Sequence, residues 1–434
     1  MTDEAGSGRT PRLLRLLLGS MGDALAERPL QLMLAGLVLV GTGGAIIVPV
    51  VGWMVWEETK SALSIGIITS MPLLALLLVV PFASILADRT NRFRLLWLSH
   101  LACALGLAIL GGVVAAGLGS AWALAVGLSV VGVATAFGSP VLLCIVPRLV
   151  PRRLLIAALV LVGGASSLGE VGRLLVFDLM PLERGAMYGF GGAAIAELVF
   201  LGFLFRIRLR PSGRFTPSGK PFLTDLADGV RYVRRHVGLG PLVGVNLLVL
   251  FAVALAPELK QAAGAFGIQT FVGFQMLAVL ALFVFSFWLG YRSAPFGLTR
   301  MVLVLAIAAM PLAVVATTGV SAWIAASAVT LLGVAVAALG VCVSMLAQLN
   351  VAEHMRGRLV GGLTWLAAMS ASLGWLLSKV GADMLGWTAT TQWSPVVLIV
   401  AGITLVVALR LYRRGEPLRA TLESPATLHA PVEP

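Results

Sequence analysis

The sequence predicts an all-α membrane protein with twelve transmembrane helices in two six-helix halves. Three observations predict it. The 434 residues are 59% hydrophobic and only 12% charged. The apolar residues fall into twelve long runs, each near the ~20 residues a helix needs to cross a bilayer. Lys and Arg collect in alternate connections between those runs.

Composition comes first because it excludes most alternatives. A soluble domain carries about a quarter of its residues as charges. Half that fraction cannot coat a globule of this length, and the mean hydropathy is +1.00. A lipid-facing surface explains the missing charge, so the bilayer is the first partner. The net charge is +12, but the basic residues sit in short groups between apolar runs. That is not the clustered face of a nucleic-acid binder, and no nucleic-acid partner is expected. Cys103, Cys144 and Cys342 all lie inside apolar runs and read as small buried hydrophobes. No zinc-ligand spacing is present, so neither metal nor cofactor is expected.

Residues 1–29 form a cytoplasmic segment. Arg9, Arg12 and Arg15 precede an amphipathic stretch, with no small-residue cleavage site behind an apolar core. The N-terminal half, 30–206, holds spans 1 to 6 near 30–54, 62–86, 94–117, 120–146, 154–178 and 185–206. A polar linker, 207–239, follows. Its stretch FLTDLADGVRYVRRH places Phe222, Leu223, Leu226, Val230 and Val233 at helical spacing, with basic residues opposite. Two readings stand: a helix lying on the inner leaflet, or a solvated linker helix. The C-terminal half, 240–412, holds spans 7 to 12 near 240–257, 265–290, 298–318, 321–350, 358–382 and 392–412. The Pro-rich tail, 413–434, is expected to be disordered.

Orientation follows from the basic residues. With the N-terminus in the cytoplasm, 26 of the 31 Lys and Arg fall on that side. Lys60, Arg184, Lys260 and Lys379 fall opposite, and Arg173 lies within span 5. This bias places both termini in the cytoplasm.

Charge inside or beside a span needs a reason. The turn LADRTNRFRLL (86–96) places Asp88, Arg89, Arg92 and Arg94 between spans 2 and 3. Positive-inside bias accounts for the arginines but not for the acid. An acid at a helix end followed by arginines suggests an ion pair or helix-dipole contact. Span 5 contains GGASSLGEVGRLL, with Glu170 and Arg173 three residues apart and so on one helix face. Either they pair to fix packing, or they line a cavity and handle a proton or a charged substrate group. Glu197 lies near the middle of span 6 with no basic residue beside it in sequence. Either it carries protons, or it stays neutral and hydrogen-bonded.

Weaker candidates follow. Asn246 and Gln275 lie in the second half and are cavity candidates; Gln348 and Asn350 are further polar residues within or near its spans. Amides in such positions more often bond between helices than to a substrate. Trp365 lies within span 11, where it could stack on a ligand or simply pack. His100, early in span 3, reads as structural. Trp53, Trp56, Trp122, Trp387 and Trp393 read as interface anchors. There is no G-x-x-x-x-G-K-[ST] nucleotide loop. No catalytic set can be placed among four histidines, so an enzyme is not expected.

LADRTNRFRLL resembles the loop 2–3 signature of the major facilitator superfamily, G-x-L-A-D-R-x-x-R-R. Asp88, Arg89 and Arg92 match; Ser84 stands for the Gly and Phe93 for the last basic residue. WMVWEETKSALSIGI (53–67), SPVLLCIVPRLVPRRLLIAALVL (139–161), DLADGVRYVRRH (225–236) and RGRLVGGLTW…GADMLG (356–386) resemble the drug and siderophore exporter branch. That branch includes the enterobactin and macrolide exporters. The resemblance implies the major facilitator fold, a central cavity and alternating access by rocking of the halves. It implies a monomer in the bacterial inner membrane that exports a small organic molecule, a siderophore or an amphiphilic drug-like compound, against inward proton flow. It implies a cytoplasmic gate at Asp88, Arg89 and Arg92, with Arg148 in the same network.

The chain departs from the pattern in two places. Loop 8–9, LGYRSAPFGLTR, keeps Arg292 but has no Asp. Span 5 has Glu170 where the branch has Pro in G-P-x-x-G. An importer or lipid flippase on the same fold, and a non-transporting receptor or scaffold, are the alternatives.

Overall fold

In an apolar surrounding each backbone N–H and C=O needs a partner within its own segment, which a helix supplies. In the computed structural model of the chain, every element among the described residues is helical. Those residues are 19–151, 154–179, 182–208, 239–255, 297–317, 322–350, 356–385 and 393–413, with single positions at 224, 231, 277, 280, 281, 284, 285 and 288.

The chain divides into two compact units, 1–219 with 283–294, and 220–282 with 295–434. The first unit begins with a short helix, α1 (Ser20–Leu25). Long helices follow: α2 (Arg28–Thr59), α3 (Ala62–Arg89), α4 (Arg92–Ala115), α5 (Ala121–Ile145), α6 (Leu155–Leu179) and α7 (Leu182–Arg206). They occupy predicted spans 1 to 6. The second unit holds α8 (Leu239–Leu255), α9 (Leu298–Thr317), α10 (Ala322–Leu349), α11 (Arg356–Leu385) and α12 (Trp393–Arg413). These occupy spans 7 and 9 to 12. Most of predicted span 8, the linker helix and the C-terminal tail lie outside the described residues.

Seven of the described helical stretches are long and apolar enough to cross a membrane. At 1.5 Å per residue, the 32 residues of α2 reach about 48 Å. Their outer faces are apolar. Leu78, Phe82, Ile109, Val126, Ile195 and Phe205 all stand exposed, as a lipid-facing surface requires.

The helix ends have local causes. Lys60 takes a left-handed conformation (φ 48°) and ends α2. Ser61 caps α3, its hydroxyl accepting from Ser64 N–H at 3.2 Å. Asn91 starts α4 by accepting from Phe93 N–H at 3.0 Å and Arg94 N–H at 3.3 Å. These caps satisfy donors that a helix start leaves free. The turn between α3 and α4 is therefore only Thr90 and Asn91 long.

The same packing scheme recurs in both units. In the first, α2 packs on α6 and α7, and α4 packs on α5 and α7. In the second, α8 packs on α11 and α12, and α9 packs on α10 and α12. Each pair in the second scheme is the first scheme moved on by six predicted spans. Directions agree as well. Ser370 Oγ donates to Leu247 O at 2.6 Å, and Gly374 faces Phe251, so α8 and α11 run parallel.

Small residues set the spacing between helices, as membrane interfaces favour. A Cβ added at Gly169 of α6 would lie 2.9 Å from Gly41 of α2. One added at Gly132 of α5 would lie 2.5 Å from Pro72 of α3. One end of the first unit is filled by Ile47, Val51, Val55, Leu107, Leu124 and Phe190. The Asp88 turn lies at the other end. All three cysteines are free and buried, as their apolar setting in the sequence predicts.

Candidate functional site

The centre of interest lies where α4 and α7 cross, inside the first unit. His100 of α4 and Glu197 of α7 meet there, with Nδ1 and Oε2 2.6 Å apart. Their side chains are 13% and 9% exposed. Glu197 sits nine residues before α7 ends at Arg206, and His100 eight residues after α4 begins at Arg92. Each is thus ~12–14 Å along its helix from the end that carries the Asp88 turn, by helix rise. That is about a third of the way along either helix, well inside the apolar stretch.

The surroundings hold the pair in place. Phe200, one turn beyond Glu197 and fully buried, sets its ring edge-on to His100 with centroids 4.6 Å apart at 82°. That ring also fills the space above Gly36 of α2, where an added Cβ would clash with it. Next to the pair on α4, Ser99 Oγ donates to Ala134 O of α5 at 2.7 Å. Cys103 Sγ lies 3.4 Å from Thr135 Oγ1. Between its ends α2 carries no charged residue, and α5 carries none at all. Among the described residues, the carboxylate and imidazole are thus in direct contact with each other, with the Cys103 thiol as the next ionisable group.

This arrangement changes the reading of Glu197. Sequence reasoning finds no base near it, because the base lies on another helix. His100, read there as structural, supplies it. A matched depth of two polar residues in spans 3 and 6 is the sequence signal that could have found the pair.

The predicted gate turn is tied to the end of α3. Arg92 is buried, and its Nε–H donates to Ala87 O at 3.2 Å. It thereby places a cation at the C-terminal end of α3, where the helix dipole favours one. Arg89 closes α3, and Arg148 stands on a 3₁₀ turn, Val146–Arg148, at the end of α5. The side chains of Asp88, Glu170 and Arg173 lie outside the described part of the structure. The backbones of Glu170 and Arg173 are in α6, immediately after Gly169 and Gly172, which contact Gly41 and Thr42 of α2.

In the second unit Asn246 of α8 is buried, and its Oδ1 has no hydrogen-bond partner among the described residues. Gln348 of α10 is buried, with neither Oε1 nor Nε2 paired among the described residues. The expected interhelical bonds are thus not made by Asn246 Oδ1 or Gln348. Their helices pack against each other. Trp365 lies half-buried on α11. Gln275 lies outside the described residues.

Comparison with known proteins fits this architecture. A family model, the Major Facilitator Superfamily, matches residues 33–374. No curated protein matches the chain. Among solved structures, the chain is similar to the human organic anion transporter MFSD10 (TETRAN), with a TM-score of 0.72 at 18% identity, covering 88% of this chain and 99% of that one. It is similar to the proton:xylose symporter XylE bound to 6-bromo-6-deoxy-D-glucose, with a TM-score of 0.68 at 14% identity over 89% and 95% of the two chains. A bacterial homologue of the iron transporter ferroportin, in its outward-facing state, gives a TM-score of 0.66 at 18% identity over 89% and 100%. At these identities the structures speak for the fold alone. The family match spans most of the chain: the protein is a multi-pass membrane transporter and belongs to the Major Facilitator Superfamily.

Proposed function

We propose that this protein exports a small organic molecule by proton antiport, through alternating access. The buried Glu197 carboxyl, paired with His100 at 2.6 Å inside two apolar helices, carries the proposal. Ionisable groups in membrane spans are expensive and mark proton or substrate paths by default. Glu197 takes the proton-coupling role. Glu170 and Arg173 join it as coupling or substrate residues.

Asp88, Arg89, Arg92 and Arg148 form the cytoplasmic gate. The buried Arg92 contact to the end of α3 supports that assignment by fixing the turn. Asn246, Gln275 and Trp365 are cavity candidates in the other half; the unpaired Asn246 Oδ1 supports the first of these. The substrate is a siderophore or an amphiphilic drug-like compound, on the resemblance of the 53–67 and 139–161 segments to that exporter branch. The working form is a monomer in the bacterial inner membrane with both termini in the cytoplasm.

The test uses purified protein in proteoliposomes with an internal pH dye. A proton gradient is imposed and a panel of siderophores and amphiphilic drugs is added. Substrate-triggered proton movement in wild type, lost in Glu197→Gln or Glu170→Gln, is the expected result. No coupled movement with any compound of the panel would sink the antiport reading.

A further inference from the structure

We propose that His100 and Glu197 form one proton-binding unit, in which the imidazole takes up the proton and the carboxylate holds the resulting charge. The proposal rests on the proton-antiport reading for its purpose, but the binding itself can be measured without transport.

The close contact is the observation on which this division of labour rests. A 2.6 Å separation between Nδ1 and Oε2 needs a proton between them. The proposal assigns that proton to Nδ1: with a neutral imidazole, Nδ1–H donates to the carboxylate, Nε2 holds a lone pair, and the unit carries net −1. A proton arriving at Nε2 converts the ring to imidazolium. Nδ1–H still donates to Oε2, no bond between the residues breaks, and the unit becomes net neutral. The proton that enters is thus bound at the nitrogen facing away from Glu197. The carboxylate keeps its one short contact in both states.

The shell favours such a two-state unit. No charged residue of α2 between its ends, and none of α5, offers a competing charge. The next titratable side chain on α4 is Cys103, one turn on, with its Sγ against Thr135. On α3 the charged residues are Asp88 and Arg89 at its end, and on α4 the arginines Arg92 and Arg94 lie about two turns away. Arg206 of α7 is exposed at the helix end. In an apolar interior a lone charge is costly and a close opposite charge offsets that cost. Phe200 fixes the ring plane against rotation away from the carboxylate. Both members come from the first unit.

The experiment is nitrogen-15 NMR of histidine-labelled, full-length protein in nanodiscs, titrated from about pH 5 to about pH 9, the range in which imidazoles change charge. The chain has four histidines, and the signal absent from His100→Gln identifies the ring. In wild type the His100 ring changes charge state within the range. In Glu197→Gln that change moves by about one pH unit or more, as expected for loss of an adjacent charge. In Glu197→Asp, which keeps a carboxylate, it moves less. A His100 ring in a single state throughout, or one that changes at the same pH in Glu197→Gln, would overturn the proposal. If His100→Gln does not fold, the Glu197 variants alone decide it, because the moving signal then identifies the ring. A coupled titration together with no proton movement in the proteoliposome assay supports the unit and counts against antiport. The reverse pattern does the opposite.

Discussion

His100 and Glu197 are 97 residues apart in sequence and 2.6 Å apart in space. The contact joins α4 to α7 at a depth where each residue alone would be an unpaired polar group among hydrocarbon. Its strength should therefore show only when the two residues are tested together. Removing one member of a buried pair leaves the other uncompensated and costs about 3–5 kcal/mol. Glu197→Leu is expected to lower unfolding stability in detergent by that amount. The double variant, with His100→Phe added, should recover most of it. Additive losses in the double-variant cycle would show that the residues do not act on each other.

Gly36 is a second point of leverage on the same site. Its missing side chain makes room for the Phe200 ring, which lies against His100. Gly36→Ala forces the ring or the helix to move, and overpacking of this kind costs about 1–3 kcal/mol. Gly44→Ala on the same helix meets nothing within 4 Å and should be neutral or slightly stabilising. Thermal unfolding of both variants checks this. Equal melting temperatures would mean that Phe200 repacks freely.

At the other end of the unit Glu58 reaches from the end of α2 to α5. Its Oε2 accepts from Ala121 N–H at 2.6 Å, a carboxylate on a helix start. Loss of such a cap costs about 0.5–2 kcal/mol. Glu58→Ala should lower stability within that range. Glu57→Ala removes only an exposed pair with Lys60 and should change little. The comparison is read by unfolding in detergent, and a larger loss in Glu57→Ala would contradict the assignment.

Gln348 offers a prediction of opposite sign. Both ends of its amide are buried and unpaired, and such a group costs about 1–3 kcal/mol. Gln348→Met keeps the volume and removes the polar atoms. Stability should rise or hold. A Met variant that is as stable as wild type but loses transport would assign the amide to the substrate. A Met variant that is less stable would mean the amide is bonded in the membrane.

Much of the architecture is legible along the chain because its causes are local. Each apolar run among the described residues is a helix, since the bilayer forces backbone bonds inside the segment. Asn91 and Ser61 cap their helices through neighbours two or three residues away, so the breaks at 60–61 and 90–91 follow from sequence. The buried cysteines follow from their apolar neighbours. Glu197 is visible as an anomaly for the same reason: an acid in the middle of a greasy run needs an explanation wherever the run lies in space.

What the run cannot contain is the partner. His100 is eight residues into another helix, and nothing near it in sequence points to Glu197. The roles of the two residues depend on a crossing set by packing, with Gly36 admitting Phe200 and Phe200 fixing the imidazole. Likewise, Asn246 and Gln348 look like interhelical bonding groups in sequence, and Asn246 Oδ1 and the Gln348 amide are unpaired among the described residues. The sequence by itself determined that the chain is a helical membrane protein, where its helices start and stop, and which buried charges need explaining. Only the tertiary structure decided which of those charges meet. Helix formation and membrane insertion are set within ~20 residues, whereas a side-chain pair depends on how two helices cross.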